Sequence, residues 1–146
     1  MIRPYRKSDQ PALLQVFRLN TPKYFAPAEE QDFIEYLEHL IEDYFVIEQS
    51  NAIIGGGGVN YFEEEKGARI SWDFIHPDAH GKGLGRKLVQ HRIDHIKNKP
   101  HIETITVRTS QLAYRFYQKF GFELVKTEKD FWAEGLDLYQ MDLKLK

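Results

Sequence analysis

The chain has 146 residues, 42% of them hydrophobic, and a formal net charge of −2, which is the size and composition of one domain, residues 1–146, with one sizeable core. So small a charge gives neither the basic field that collects nucleic acid nor an acidic tail, and the absence of cysteine removes disulfides, thiolate metal sites and a cysteine nucleophile together. No apolar run reaches the length of a membrane span and residues 1–5 lack a signal-peptide core, so a soluble cytoplasmic protein without membrane or nucleic-acid partners is the expectation.

Residues 2–5 read as a short edge strand. Ser8 or Asp9 then caps a helix with Pro11 in its first turn and Leu13, Val16 and Phe17 inward, stopped at Asn20-Thr21-Pro22. An aromatic loop, residues 23–27, precedes a second helix whose Phe33, Leu37, Leu40 and Ile41 share one face. Residues 44–48 and 52–62 are rich in β-branched and aromatic side chains and flank Ser50-Asn51, the pattern of a hairpin. The four glycines at 55–58 interrupt its second strand as a bulge, a place of close packing, or room for a ligand. After an acidic turn at 63–67, residues 68–75 form a strand.

That strand runs into His76-Pro77-Asp78-Ala79-His80-Gly81-Lys82-Gly83-Leu84-Gly85-Arg86, and Leu84, Leu88, Val89, Ile93 and Ile96 then recur at helical spacing. Alternating glycines that empty into a helix N-terminus suit a diphosphate, since amides can approach the anion closely and the helix dipole favours negative charge. Tight geometry alone would also select glycine here. The Gly-Lys-Ser/Thr ending of a Walker loop is missing, and five residues separate the strand from the first glycine, unlike a dinucleotide-binding fingerprint. Beyond the helix, Asn98-Lys99-Pro100 breaks the chain and residues 102–107 alternate as a strand. Ser110 caps a further helix that ends at Gly121, and residues 122–128 and 136–145 are two closing strands around a loop at 129–135. The order is a mixed α/β pattern with helices on both sides of a sheet.

The loop Ile75-x-Pro77-x-x-His80-Gly81-Lys82-Gly83-Leu84-Gly85 resembles the acyl-CoA loop of the GNAT superfamily of N-acetyltransferases, which shows Val/Ile-x-Pro followed by Gln/Arg-x-x-Gly-x-Gly/Ala. His80 departs from it, standing where the family prefers Gln or Arg. A second stretch, Ser110-x-x-Ala113-x-x-Phe116-Tyr117-x-x-x-Gly121-Phe122, is similar to the family's second signature, and two motifs in their proper contexts are far more specific than one. The resemblance covers nearly the whole length. It implies a mostly antiparallel central sheet of about seven strands with about four helices, acetyl-CoA as acetyl donor, and direct transfer to an amine of a small molecule, a peptide terminus or a lysine. A homodimer is left open.

Carried over by residue, the resemblance gives the diphosphate to His80, Gly81, Lys82, Gly83, Leu84, Gly85 and Arg86, the pantetheine arm to the backbone near Phe74 and Ile75, and places Ser110 and Tyr117 at the same ligand. Tyr117 occupies the position of the tyrosine that commonly serves as general acid toward the departing thiolate; packing in the core is the other reading of that ring. Asp73, close to the loop, is a candidate base acting through water or else a structural carboxylate, and Glu63, Glu64 and Glu65 are further candidate bases on a solvated turn. His80 could also make affinity for the phosphate rise as pH falls through about 6.5. Paired His76 and His80, and His91 and His95, lack the company that a zinc site needs, so no metal is expected. The acceptor, by resemblance, lies among Tyr24, Phe25, Glu29, Phe131, Trp132 and Glu134, an acidic and aromatic set that suits a cation. A catalytically silent CoA-binding sensor and a module for another nucleotide are the rival functions.

Overall fold

A computed structural model describes residues 1–146. One seven-stranded sheet organises it, in the order β1-β2-β3-β4-β5-β7-β6. The strands are β1 Ile2–Pro4, β2 Asp43–Gln49, β3 Ala52–Phe62, β4 Gly67–Ile75, β5 Thr104–Thr109, β6 Glu123–Ala133 and β7 Leu136–Lys144. All neighbours are antiparallel except β4 and β5. Four helices, α1 Gln10–Leu19, α2 Glu29–Glu35, α3 Leu84–Lys97 and α4 Tyr114–Gln118, complete the expected order.

Alternation along β2 shows why both faces are covered. Tyr44 and Val46 pack with Leu13, Val16 and Phe17 of α1 and Phe33 of α2, whereas Phe45 and Ile47 pack with Leu84 and Leu88 of α3. The largest cluster lies under α3 and α4, where Val89, Ile93 and Ile96 meet Ala68, Ile70, Ile105 and Val107. The β2–β3 hairpin turns on Ser50 and Asn51, both at positive φ (50° and 65°), the backbone that a two-residue turn between twisted strands requires.

Three boundaries differ from the sequence reading. The second helix, expected to carry one regular stripe through Leu40 and Ile41, is α-helical only to Glu35 and then widens into a π turn, Tyr36–Leu40. The wider turn rotates the stripe, so Tyr36 and Leu37 are buried while Leu40 is 58% exposed. Residues 129–133, expected in a loop, belong to β6, whose first nine residues are all solvent-exposed; an edge strand with no apolar alternation leaves little signal to read. Ile102 is buried but precedes β5, which begins at Thr104. No helix is long and apolar enough to cross a membrane.

Candidate functional site

The site begins where the two parallel strands part. β4 and β5 are paired from Gly67↔Thr104 to Ile70↔Val107 and no further. Beyond that point β4 continues only along β3, to Ile75, and β5 only along β7, to Thr109. The fork opens into a cleft of about 880 Å³, within the range of small-ligand sites, whose lining runs from Trp72, Asp73 and Phe74 to Tyr117 and Trp132.

A bulge in β4 aims the side chains. Gly56 opposes Phe74 and Gly58 opposes Ser71, so Gly57 faces two residues, Trp72 and Asp73, and Trp72 takes a φ of 55°. The extra residue inverts the alternation. Ala68 and Ile70 point toward α3, and without the bulge Asp73 would point the other way; with it, Asp73 turns toward α3 and Trp72 joins the rings of Phe17, Phe25, Phe33 and Tyr36.

On the α3 side Asp73 meets a buried cation. Arg92 is fully buried; its Nη1 donates to Asp73 Oδ1 at 2.7 Å and to the Gly58 carbonyl at 3.1 Å, and its Nη2 donates to Asp73 Oδ2. Two parallel bonds to one carboxylate are the geometry in which arginine binds most strongly. Gly57 makes the room: a Cβ there would lie 2.8 Å from Arg92 Cζ. The close packing expected of the glycine run is therefore found at Gly57, whereas the bulge lies in the facing strand β4, opposite it.

Tyr117 closes the chain of contacts, its hydroxyl donating to Asp73 Oδ2 at 3.0 Å. Burial, and next the neighbouring Asp73 charge, raise its pKa well above the usual phenol value, so Tyr117 stays protonated at neutral pH. The ring also packs edge-on against Phe116 and Phe122, so the packing reading and the cleft position hold together. Asp73 is held by a guanidinium and a phenol rather than by local amides.

At the other end of the cleft Gly81 and Gly83 have φ of 80° and 79°, and a Cβ on either would meet nothing within 4 Å. Gly83 is the N-cap of α3, whose first amides have no carbonyl one turn back to bond. Exposed Lys82, Arg86 and Lys87 line the same end, and Leu84 anchors the loop into the core. This is a cradle that fits a diphosphate in both space and charge. His80 is turned back: its Nε2 donates to the Ile75 carbonyl at 2.8 Å and its ring meets the edge of Tyr24. Asn20 Nδ2 donates to the same carbonyl at 3.1 Å, so that oxygen ties the loop to α1. Ser110, also in the lining, accepts the Leu112 amide on its Oγ at 3.2 Å in the turn before α4, whose N-cap is Ala113 and not the expected Ser110.

Several expected residues fall elsewhere. Glu29 turns inward, accepting the Ala26 amide at 2.7 Å, with burial raising its pKa. Glu63, Glu64 and Glu65 form an exposed turn at the far end of β4, Glu63 against His101, and Glu134 sits at the exposed β6–β7 turn. His95 pairs with Asp43 and both His91 and His95 lie against Phe45; no group of three metal-ligating side chains comes together. Sequence reasoning missed Arg92 and Arg108. The signal for Arg92 was present, since it stands one turn after Leu88 and one before Ile96 in the apolar stripe of α3.

Comparison with known proteins agrees with this geometry. The amino-acid acetyltransferase of Pasteurella multocida (strain Pm70) is 29% identical over 130 residues, which are 86% of this chain and 27% of that protein. The chain spans between 18% and 28% of the length of the curated relatives it matches. Among solved structures, the ribosomal-protein-S18-alanine N-acetyltransferase of Escherichia coli superposes with a TM-score of 0.83 at 18% identity, over 100% of this chain and 94% of that one. The yncA protein of Salmonella typhimurium, solved with its cofactor acetyl-CoA, gives 0.76 at 20% identity, again over 100% and 94%. The family model of the acetyltransferase (GNAT) domain matches residues 16–145, and with the fork, the glycine cradle and the buried tyrosine in place the chain belongs to the GNAT acetyltransferase family.

Proposed function

We propose that the chain transfers an acetyl group from acetyl-CoA directly to an amine. The observation that carries this reading is the convergence of three parts in one cleft: the glycine cradle at α3, the parted strands β4 and β5, and the protonated Tyr117 hydroxyl between them. Gly81, Lys82, Gly83, Leu84, Gly85 and Arg86 would hold the diphosphate, and the free edge of β4 near Phe74 the pantetheine arm. The thioester supplies an activated acyl group, and every other requirement falls on the chain.

Collapse onto the amine leaves a thiolate that needs a proton. Tyr117 gives it by rotating its O–H from Asp73 toward the cleft, a step that leaves Asp73 still bound twice by Arg92, and the proton that the nitrogen sheds on becoming an amide restores the phenol, so that protons balance. A phenol of raised pKa can serve because the same desolvation raises the basicity of the developing thiolate. Asp73, with both oxygens engaged, holds Tyr117 in place in this mechanism and does not take the amine proton. His80, fastened to Ile75, latches the loop in this reading.

Calorimetric titration tests the reading. The wild-type chain should bind CoA and not ATP or NAD, and Gly83→Glu, which sets bulk and negative charge in the cradle, should lose at least about tenfold in affinity while staying folded. Unchanged affinity in folded Gly83→Glu would refute the cradle, and a chain that binds CoA but transfers nothing would be a sensor.

A further inference from the structure

Two arginines on the other face of the fork have no assigned work. Arg69 lies on β4 opposite Thr106, and Arg108 on β5 is the first residue beyond the last β4–β5 pair. Their neighbours Ala68, Ile70, Ile105 and Val107 point into the cluster under α3, so by alternation both arginines project from the opposite face, where Arg108 lines the cleft with Trp72 and Trp132. Arg3, Arg18 and Arg92 each pair with a carboxylate, and these two do not. Their Nε groups are nonetheless buried without a hydrogen-bond partner.

Aromatic rings hold them instead. Arg69 Cζ lies 4.8 Å from the Phe62 ring centroid, and Arg108 Cζ lies 4.9 Å from that of Phe131 and 5.8 Å from that of Trp132. Stacking fixes the plane of a guanidinium and leaves its N–H edge for an oxyanion. The two cations also act on each other, since burial and then the charge of Arg108 lower the pKa of Arg69. Asp142, the carboxylate facing Thr106 from β7, is engaged by the Thr106 hydroxyl at 2.8 Å, and Glu65 is the acidic group that acts on Arg69. Half-buried, like-charged and with unbonded Nε groups, the pair is arranged for a partner with negative oxygens.

We propose that Arg108, backed by the charge of Arg69, forms an oxyanion site on the acceptor side of the fork, so that the amine acetylated by this chain carries a carboxylate or a phosphate. This rests on the transferase reading, and it reverses the cationic acceptor expected from Glu29 and Glu134, neither of which faces the cleft. Arg108 at the fork is the specificity-determining contact, and Arg69 behind it adds charge.

The two tryptophans of the chain, Trp72 and Trp132, both line the cleft, so fluorescence reports binding there without turnover. CoA-saturated protein is titrated with β-alanine, O-phosphoethanolamine and ethanolamine, three small amines differing in the group at the far end. At least one anionic probe should bind about tenfold or more tighter than ethanolamine, the better of the two identifying the oxyanion as carboxylate or phosphate, and Arg108→Gln should abolish the preference with CoA affinity unchanged. Arg108→Lys, which keeps charge without the planar fork, should retain part of it and serves if Arg108→Gln does not fold. Equal or tighter binding of ethanolamine, no response to either anionic probe, or a preference that survives Arg108→Gln overturns the site. Acetylation of β-alanine and ethanolamine at equal kcat/KM would keep the transferase and remove the oxyanion site. Binding of the anionic probes without acetylation of any amine would keep the site and remove the transferase.

Discussion

Arg92 is a full charge with no access to water, tolerable only because Asp73, Gly58 and Leu88 together accept its hydrogens. Removing one member of such a pair leaves the other stranded, which typically costs about 3–5 kcal/mol. Arg92→Met should sit near the low end, about 3 kcal/mol by urea denaturation, because the Asp73 side chain keeps 17% of its surface. Adding Asp73→Asn to Arg92→Met should recover part of the loss, since the carboxylate that needed the cation is gone. Tyr117→Phe separates chemistry from packing at the same place: the ring and its contacts remain and only the donor disappears. We expect kcat to fall at least about tenfold with little change in acetyl-CoA affinity. Full turnover in Tyr117→Phe, with chemistry rate-limiting, would make Tyr117 a packing residue.

At the scale of elements, punctuation was readable and phase was not. Pro11, Ser50-Asn51, the Gly81–Gly83–Gly85 alternation and Gly121 are local signals, and each stands where a cap, a turn or a loop was expected. Trp72 is different. Nothing in its neighbours marks a bulge, yet that single residue decides that Asp73 faces Arg92 and that Arg69 and Asp73 lie on opposite faces. The π turn after α2 likewise breaks a phase that a 3.6-residue period assumes, which is why Leu40 is exposed. Tyr117 and the glycine cradle were legible through their motifs, whereas Arg108 depends on a strand pairing that the sequence does not announce, that of β5 with β7 at Gln140. A test of the element argument is Gly57→Ala. Its methyl group meets a guanidinium that cannot swing away without breaking its bonds to Asp73, so we expect a loss of about 1–3 kcal/mol in thermal or chemical denaturation.

Across the whole molecule, the two faces of the sheet each bury a tyrosine hydroxyl: Tyr44 donates to the Trp72 carbonyl at 2.9 Å on one side and Tyr117 to Asp73 on the other. Burial first, then neighbouring phenol or carboxylate charge, raises both pKa values well above 10.0. Their folded values exceed the unfolded value of about 10, so this stabilisation is fully present below about pH 10 and is lost as pH rises through the higher folded values. Stability measured by urea midpoint should therefore decline on the alkaline side above about pH 10, and Tyr44→Phe should blunt the decline.

The central claim, that the fork and cradle serve acetyl transfer to an amine, is tested most directly by following free thiol released from acetyl-CoA in the presence and absence of a panel of amines. The account predicts release that depends on the amine, is carried furthest by amines bearing a carboxylate or phosphate, and matches the acetylated product mole for mole by mass spectrometry. Tight binding of CoA with no amine-dependent release across the panel would contradict it.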